Sequence, residues 1–361
     1  MGKTKTKTKT KTKTKTKTRS TIADVAAAAG VHPSTVSRVL SGGGVTSIAT
    51  ATARRVTLAA DRLGYRPSAL ARSLRLRRTL TLGMLVPDIT NPFFSSIIKG
   101  AEDAARERGY NLILCNTEDL PEREASYLAV LRERQVDGLL IASSRMADAT
   151  IAGLRRDRFP FVLLNRSARG AEDLAVLVDN KAAAEAVVAH LAALGHRRVA
   201  HIAGPSTTTT GAERRAGFTA AARAHGLATD RNLLIEAEGF SDAAGYRSAR
   251  ELFARGNVPT AIFAANDLIA IGALVAVREA GLRVPRDVSI VGFNDIPLAG
   301  LLEPALTTVR VPQLAMGRRG AELLVGRLEG RQPGPCRVIL PTTLVIRASS
   351  TGPAMATRQI A

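Results

Sequence analysis

Apolar residues recur at helical spacing near the N-terminus, in segments that predict three short helices. In the first helix, Thr21 and Asp24 stand at capping-box spacing, and Gly30 suits the left-handed turn that ends a helix. Its apolar stripe consists of Ile22, Val25, Ala26 and Ala29. Pro33 suits the first turn of the second helix, because its missing N–H would be unpaired there anyway. A third helix is predicted from Thr52 to Leu63, so this region reads as a helix-turn-helix bundle.

The second segment, His32 to Leu40, divides into an apolar side and a polar side. Val36, Val39 and Leu40 lie at i, i+3 and i+4, and we expect them to pack against the first helix. The opposite side carries Ser34, Ser37, Arg38 and Ser41. Short hydroxyls beside one long bidentate donor can reach base edges and phosphates in a major groove. The alternative is a small bundle whose outer side is only solvated.

From Thr79 onward, apolar runs alternate with amphipathic helical segments. Runs such as TLTLGMLVP, VDGLLIAS and VSIVGFND lack polar alternation, which is typical of strands buried on both faces. The pattern therefore predicts an α/β fold with parallel sheets. Two helical segments, Gly100–Tyr110 and Gly217–Leu227, also resemble each other, so we expect two similar halves with a cleft between them.

Positive charge is concentrated at the N-terminal end. The 361 residues carry a formal net charge of +20, of which residues 1–80 supply +16. An end of this kind favours a polyanionic partner such as DNA. Residues 3–18 alternate Lys and Thr, which is typical of a solvated, disordered tail. Its eight lysines would still add salt-sensitive, sequence-independent affinity for DNA.

Several function classes are disfavoured by what the sequence lacks. The only two cysteines, Cys115 and Cys336, do not suggest a disulfide framework or a zinc site. No apolar run approaches the roughly 20 residues of a membrane span, and the N-terminus has no apolar export signal. The motifs of serine hydrolases, P-loop and dinucleotide enzymes and zinc peptidases are missing too. We therefore expect a soluble, cytoplasmic protein that has no membrane partner, catalytic residues, cofactor or metal.

The stretch PSALARSLRLRR joins the two regions. Leu70 and Leu74 are four residues apart, and the four arginines around them have no acidic neighbour. An ordinary linker helix is one reading. A basic element that inserts apolar wedges into the minor groove of DNA is the other.

Four separated segments resemble the LacI/GalR family of bacterial transcriptional regulators: TIADVAAAAGVHPSTVSRVL, LGYRPSALARSL, VPDITNPFF and VSIVGFND…PALTTV. The resemblance runs from about Thr21 to Arg347. It implies a repressor that binds a near-palindromic operator as a homodimer, with a sugar or related metabolite as its effector. The rival reading, an exported solute-binding protein with the same cleft, would have no use for residues 21–78.

The implied domain order begins with a disordered tail over 1–19, a helix-turn-helix headpiece over 20–66 and a hinge helix over 67–78. An effector domain follows over 79–347, and a C-terminal tail over 348–361 ends the chain. The effector domain is expected to resemble type I periplasmic binding proteins. Its cleft should lie between one subdomain of about residues 79–165 and 309–340, and another of about residues 166–308 and the final strand. The last residues contain no leucine heptads, so no tetramerising coiled coil is expected.

In the headpiece, the resemblance implies that Pro33, Ser34 and Arg38 read bases and that Thr35 and Ser37 contact phosphates. Leu74 takes the place of the leucine that, in the family, is inserted from the minor groove between the central base pairs of the operator. The remaining implied DNA contacts are Thr21, His32, Tyr65 and Ala71.

The headpiece departs from the family pattern in three ways. His32 stands where Ser is usual, so we expect the second helix to lose its preferred N-cap. Pro33 has no side-chain donor, so only shape or a thymine methyl could be read at that base position. The loop before the third helix is about three residues longer than usual, and Ala53 replaces a common Arg that would contact a phosphate.

In the effector domain, the resemblance implies ligand contacts at Phe93, Phe94, Thr210, Arg214, Phe240, Asn266, Asn294 and Asp295. Arg214 could bridge two hydroxyls or bind a carboxylate, and Phe240 offers an apolar face to a sugar ring. For Phe93 and Phe94, core packing at a helix start is an equally good reading. Asn294 replaces a frequent Asp, which leaves the identity of the sugar open.

Overall fold

The computed structural model describes residues 20–40, 48–66, 78–170, 173–256, 258–331 and 336–353. The chain divides into two compact units, Met1–Thr79 and Leu80–Ala361. The predicted tail over 1–19, Ser41 in the long loop, and Ala71 and Leu74 in the predicted hinge helix lie outside the described residues.

The first unit contains three helices, α1 (Ile22–Ala29), α2 (Pro33–Leu40) and α3 (Thr50–Arg62). The predicted capping box is confirmed: the Asp24 backbone N–H donates to Thr21 Oγ1 at 3.3 Å, and the Thr21 N–H donates to Asp24 Oδ2 at 2.8 Å. Gly30 ends α1 at φ +64°, as predicted. One fully buried valine from each helix forms the centre of the core: Val25, Val36 and Val56.

The second unit alternates strands and helices. Its strands are β1 (Thr81–Val86), β2 (Asn111–Asn116), β3 (Gly138–Ile141), β4 (Phe161–Leu164), β5 (Ala175–Val178), β6 (Val199–Ala203), β7 (Leu234–Glu236), β8 (Ala261–Ala264), β9 (Ser289–Asn294), β10 (Thr307–Arg310), β11 (Arg337–Leu340) and β12 (Thr343–Val345). Its helices are α4 (Pro92–Glu107), α5 (Pro121–Glu133), α6 (Ala149–Arg156), α7 (Asn180–Ala193), α8 (Thr209–Ala224), α9 (Asp242–Ala254), α10 (Asp267–Glu279) and α11 (Gln313–Leu328). Short 3-10 helices cover Arg231–Leu233 and Pro297–Gly300.

The strands form two six-stranded sheets of the same design. The first sheet has the order β11-β5-β4-β3-β1-β2, and the second has the order β12-β10-β9-β8-β6-β7. Among the described strands, only β10 and β12 pair antiparallel. This arrangement confirms the predicted parallel α/β fold. The internal similarity has the same origin, since Gly100 lies in α4 after β1, and Gly217 lies in α8 after β6.

One of the predicted subdomain boundaries is wrong. β5 pairs with β4 and β11 in the first sheet, so the first subdomain continues well past residue 165. β10 pairs with β9 in the second sheet and ends at Arg310, close to the predicted boundary at about residue 308. Buried parallel strands read alike whichever sheet they join, because the apolar run carries no information about its neighbour.

The predicted C-terminal tail from residue 348 also starts too early. Ser349 is fully buried, its Oγ donates to the Ile290 carbonyl at 2.5 Å, and it accepts from the Thr307 N–H at 2.8 Å. The Thr351 carbonyl accepts from Ser289 Oγ at 2.9 Å. The chain after β12 is therefore part of the second subdomain at least as far as Thr351.

Helices α4 and α11 pack closely through glycine. A Cβ on Gly317 would lie 1.9 Å from the Ile97 carbonyl oxygen, and one on Gly100 would lie 2.1 Å from the Leu314 carbonyl oxygen. At the start of α11, Gln313 Nε2 donates to the Asn294 carbonyl of β9 at 2.8 Å. This helix pair therefore ties the first sheet to the second beside the cleft.

Candidate functional sites

Helix α2 presents the polar side that was predicted to meet DNA. Ser34 and Arg38 are exposed, whereas Val36 is fully buried. Val39 and Leu40 are half-buried against the same core. The predicted division into a packing side and an outer side is therefore confirmed. Pro33, Thr35 and Ser37 are half-buried between the two sides.

His32 caps α2 through its ring, so the expected loss of the N-cap is wrong. Its Nδ1 accepts from the Ser34 backbone N–H at 3.2 Å and lies 2.8 Å from Ser34 Oγ. The N–H groups of Thr35 and Val36 donate to the His32 carbonyl. An imidazole nitrogen thus satisfies one of the free N–H groups at the helix start, as a serine hydroxyl would.

Two further predicted DNA contacts make structural contacts inside the first unit. Thr21 caps α1, and Tyr65 is half-buried against the headpiece core. The Tyr65 N–H donates to the Ala60 carbonyl at 2.9 Å, which turns the chain after α3. Their contacts with DNA stay predictions.

In the second unit, the loops that follow the strands of both sheets enclose one cleft, as expected where ligands bind α/β sheets. Its outer chamber has a volume of about 530 Å³ and is lined mainly by polar and charged side chains, among them Asp88, Glu118, Asp119, Arg145 and Glu238. An inner chamber lies behind it. Its lining consists of Asn91, Phe93, Phe94, Asn165, Arg166, Thr210, Arg214, Phe240, Asn266 and Asn294.

Seven of the eight predicted effector residues line the inner chamber. Phe93 and Phe94 also pack edge to face at 5.0 Å, which confirms the core-packing reading, while their contact with a ligand stays a prediction. Asp295 is the exception, because it lines neither chamber. Its carboxylate lies 2.7 Å from Arg310 Nε and 2.7 Å from Arg347 Nη2. The structure thus gives Asp295 an ion-pairing role in place of the expected ligand contact.

Arg214 forms part of the inner wall and is only 2% exposed. Its Nε donates to Asn180 Oδ1 at 2.9 Å and its Nη1 donates to the Ala265 carbonyl at 2.6 Å. The guanidinium lies 3.6 Å from the centre of the Phe293 ring. Burial lowers the pKa of Arg214 to about 9, so a ligand oxygen that accepts from this group would offset part of its lost hydration.

Asn266 stabilises the wall of the inner chamber, because both ends of its side-chain amide already bond to other protein groups. Its Oδ1 accepts from the Ile269 N–H at 2.8 Å and caps α10, while its Nδ2 donates to the Phe240 carbonyl at 3.0 Å. The loop that carries Phe240 is therefore fixed to the start of α10.

Three buried polar atoms of the inner chamber have no hydrogen-bond partner: Asn165 Oδ1, Arg166 Nε and Asn294 Oδ1. An unsatisfied buried polar atom costs about 1–3 kcal/mol, so a group of them around one chamber indicates a ligand position. Asn165 and Arg166 were not predicted from the sequence. Their signal was their place directly after the apolar run FVLL, at the edge of a parallel sheet where ligands bind.

Backbone conformation singles out the same edge. Eight non-glycine residues among those described have positive φ, and five of them lie at or after the ends of β2, β4 or β9. These five are Glu118, Asp119, Asn165, Asn294 and Asp295. Left-handed backbone is uncommon outside glycine, and it clusters at binding sites, where side chains must be held in set directions.

Arg166 spans the cleft. Its Nη1 lies 2.6 Å from Asp119 Oδ1 and its Nη2 lies 3.3 Å from Asp119 Oδ2. Its guanidinium carbon is 5.3 Å from the centre of the Phe240 ring, which belongs to the other subdomain. At 3% exposure, the side chain is nearly as buried as Arg214.

Asp267 lies behind the inner wall at the start of α10 and is fully buried. It accepts from Thr308 Oγ1 at 2.5 Å and from the Ile296 N–H at 2.8 Å. Burial, the largest cause, raises the pKa of this carboxyl from 3.8 to about 7. The group therefore holds a proton in the folded protein at pH values where the unfolded chain has released it.

We expect Asp267→Asn to flatten the pH dependence of stability. The contribution of Asp267 is complete below pH 3.8 and is lost as the pH rises through about 7, because the carboxyl must then ionise while buried. The amide of the variant does not ionise, so the free energy of unfolding should shift in favour of the variant between about pH 4 and 8. Urea unfolding across this range measures the difference. A constant difference would contradict the assignment.

Within the described ranges, no group of three His, Cys, Asp or Glu side chains is arranged to hold a metal ion. No helix in the same ranges is long and apolar enough to cross a membrane.

Each of the two units contains residues that match a known family or domain. Residues 21–68 match the family of bacterial regulatory proteins described as the lacI family, and residues 188–350 match the periplasmic binding protein-like domain. The transcriptional repressor PurR of Photobacterium profundum is 35% identical over 333 residues, which cover 91% of this chain and 98% of the relative.

Two solved structures extend the likeness to the fold. A complex of the transcriptional regulator CelR with cellobiose is 35% identical, with a TM-score of 0.69, over 92% of this chain and 100% of that one. The lac repressor dimer bound to operator and the anti-inducer ONPF is 26% identical, with a TM-score of 0.82, over 92% of this chain and 99% of that one. The three proteins carry the names of regulators.

Proposed function

Because the chain belongs to the lacI family of bacterial regulatory proteins and is thus a DNA-binding transcriptional regulator, we propose that it represses genes by holding an operator under the control of a small molecule. The observation that carries this proposal is the inner chamber, where unpartnered polar atoms from both subdomains surround one space. A cleft of this kind binds an effector, and we propose no catalytic step in it. The proposed place of action is the cytoplasm, where a bacterial operator is found.

Operator recognition is assigned to α2. Arg38 and Ser34 are exposed on the side opposite the buried Val36, so a groove could receive them without disturbing the core. Arginine can donate two hydrogen bonds to the major-groove edge of guanine. This contact distinguishes a G·C pair from the other base pairs. The charge of +16 on residues 1–80 supplies the salt-dependent part of the affinity.

Arg38→Ala is expected to relax base preference at one position of each half-site, with a loss of about 1–3 kcal/mol for the preferred base. Sequence selection from a random duplex pool, followed by gel-shift titration, measures this change. Arg62→Ala is the matched control, because it removes the same charge from an exposed position on α3 instead of α2. A site profile that Arg38→Ala leaves unchanged would overturn the assignment.

The effector is proposed to be an uncharged polyol, most simply a sugar. The outer chamber carries carboxylates that can accept from hydroxyls, and the inner chamber carries two guanidiniums that can donate to them. The two chambers together carry three arginines, Arg145, Arg166 and Arg214, which oppose a cation, and four carboxylates, Asp88, Glu118, Asp119 and Glu238, which oppose an anion. Phe240 offers an apolar ring face. The relative bound to cellobiose supports the same class of ligand.

A homodimer is proposed as the DNA-binding form, as in the lac repressor dimer on its operator. Several large apolar side chains of the second unit are exposed, which supports a surface for a second copy. They include Ile113 and Leu114 on β2, Val275 on α10, and Leu298 and Leu301 at the second 3-10 helix, with Leu301 81% exposed.

Effector binding is proposed to act by changing the closure of the cleft. The two subdomains are already in contact across the cleft. The Met146 N–H of the first subdomain donates to the Thr207 carbonyl of the second at 2.9 Å. A ligand that favours one degree of closure need contribute only about 1–3 kcal/mol of coupling to regulate the operator. A thermal-shift screen with sugars, followed by operator titration with each hit, tests this. No hit that alters operator affinity would refute the sugar effector.

A further inference from the structure

A second open cavity lies at the end of the first sheet opposite the cleft. Its volume is about 360 Å³, within the range of small-molecule sites. Its lining residues lie next to the amino ends of β4 and β5 and in the last turns of α6 and α11, and none of them lines the cleft. Phe161 begins β4 here, whereas Asn165 of the inner chamber follows the other end of that strand. β4 has four residues and strands rise about 3.3 Å per residue, so this cavity, which we call the basal pocket, lies about 13 Å from the inner chamber.

The buried part of the lining of the basal pocket is apolar. Leu154, Phe161 and Leu174 are buried, and Phe159 is half-buried. Two of these four side chains are aromatic, so the pocket offers ring surfaces on which a flat group can pack. A polyol or an inorganic phosphate would leave this apolar surface unused.

The rest of the lining is basic. It comprises the three arginines Arg155, Arg158 and Arg327 and a single carboxylate, Asp173, so the lining carries a net charge of +2. Arg155 neutralises the carboxylate, because its Nε lies 2.9 Å from Asp173 Oδ1 and 3.2 Å from Asp173 Oδ2. The other two arginines are exposed and can turn toward a ligand.

The carboxylates nearest in sequence to these two arginines are paired elsewhere. Asp157, beside Arg158, lies 2.6 Å from Arg132 Nη2. Glu329, two residues after Arg327, pairs with two other arginines. Within the described ranges, neither Arg158 nor Arg327 forms an ion pair. Two uncompensated guanidiniums beside apolar rings favour an organic anion as the occupant.

Arg158 occupies a backbone position at which most helices of the second unit have glycine. It follows α6 at φ +52°, and its N–H donates to the Arg155 carbonyl at 3.1 Å. Six of the eight helices described in this unit are followed at the same position by a glycine of positive φ, namely Gly109, Gly195, Gly226, Gly256, Gly281 and Gly330. An arginine is strained there relative to glycine, so the end of α6 does not need this side chain for its stability. Residues held in this way cluster at binding sites.

We propose that the basal pocket is a second ligand site and binds a nucleoside monophosphate, with the phosphate between Arg158 and Arg327 and the base on the phenylalanine rings. A phosphate monoester carries close to two negative charges at pH 7, which matches the net charge of the lining. Guanidinium groups donate paired hydrogen bonds to phosphate oxygens, and bases of every kind stack on aromatic rings. A carboxylate would leave one arginine uncompensated, and a sugar phosphate would place hydroxyls on the apolar surface. The proposal does not depend on which effector binds the cleft.

Isothermal titration calorimetry of the full chain tests the ligand class with AMP and its parts. AMP should bind at least about tenfold more tightly than adenosine, which lacks the phosphate, and than ribose 5-phosphate, which lacks the base. UMP should bind within about tenfold of AMP, because stacking tolerates any base. Adenosine as tight as AMP would overturn the role of the arginines, and ribose 5-phosphate as tight as AMP would overturn the nucleotide in favour of a sugar phosphate.

Arg158→Gly is expected to lower the affinity for AMP by about tenfold or more, because one of the two cations that meet the phosphate is lost. Its Tm should equal or exceed that of the wild type, because glycine suits the left-handed position. Arg327→Ala should lower the affinity by a similar factor. Arg156→Ala is the matched control, since it removes an exposed arginine from the same end of α6 but outside the pocket, and it should keep the affinity.

Phe240→Ala, a change in the cleft, should bind AMP as the wild type does. The basal pocket would be refuted if Phe240→Ala lost AMP while Arg158→Gly kept it, because the nucleotide would then occupy the cleft. An affinity that Arg156→Ala lowers as much as Arg158→Gly, or that none of these variants changes, would show attraction to positive charge in general and would refute it too. So would the absence of measurable AMP binding by the wild type.

Discussion

Gly317→Ala should lower the apparent Tm of the protein by roughly 5–10 °C, which corresponds to about 3 kcal/mol of overpacking. The added Cβ would lie 1.9 Å from the Ile97 carbonyl oxygen and 2.9 Å from the Ala101 nitrogen. Both are backbone atoms of α4, so no side-chain rotation can relieve the clash and the two helices must separate. Thermal unfolding followed by circular dichroism measures the shift.

Gly326→Ala is the matched control on the same helix. A Cβ at this position meets nothing within 4 Å. Alanine is favoured over glycine in a helix by up to about 1 kcal/mol, so this variant should be as stable as the wild type or slightly more stable. Equal losses for both variants would show that α11 tolerates no substitution at all, and the close-packing explanation would fail.

Helix separation at Gly317 should also reach the cleft. The start of α4 carries Phe93 and Phe94 of the inner chamber, and the start of α11 carries Gln313, which holds the Asn294 carbonyl. The two helices thus connect the walls on either side of the ligand position. A less stable contact between them would change the closure of the cleft as well as the stability of the fold.

Local signals in the sequence predicted the headpiece well. The capping pair Thr21 and Asp24, the terminating Gly30 and the buried Val36 depend on neighbours within one or two turns of helix. His32 shows the limit of this reasoning. Its side chain was judged by residue type as a poor cap, whereas its ring nitrogen reaches the Ser34 N–H. Geometry decided, because any acceptor at that position can satisfy the helix start.

The sequence predicted less about which sheet a strand joins. The run that forms β5 is as apolar as its neighbours, and only its pairing with β4 and β11 assigns it to the first sheet. The residues of the cleft likewise include some that the sequence predicts and some that only the fold brings together. Arg214 could be predicted from family resemblance, but Arg166 could not, because its importance arises from Asp119 and Phe240, which are distant in sequence.

Arg214→Ala is expected to weaken effector binding on the order of 10–100-fold, which corresponds to the loss of one charge-assisted hydrogen bond of about 1.5–3 kcal/mol. The variant should also lose stability, because Asn180 Oδ1 and the Ala265 carbonyl would lose the donors that they now have. Each buried acceptor left without a partner costs about 1–3 kcal/mol. The change in operator affinity caused by the sugar identified in the screen, and the Tm, measure the two effects.

Arg215→Ala provides a control one residue away. Its Nη1 lies 3.2 Å from Glu236 Oε2, but its side chain is 43% exposed and it lines neither chamber. Exposed ion pairs contribute at most about 1 kcal/mol, so this variant should keep both its Tm and its response to the effector. If the operator affinity of Arg214→Ala changed with sugar concentration in the same way as that of Arg215→Ala, Arg214 would be a structural arginine and the ligand would lie in the outer chamber.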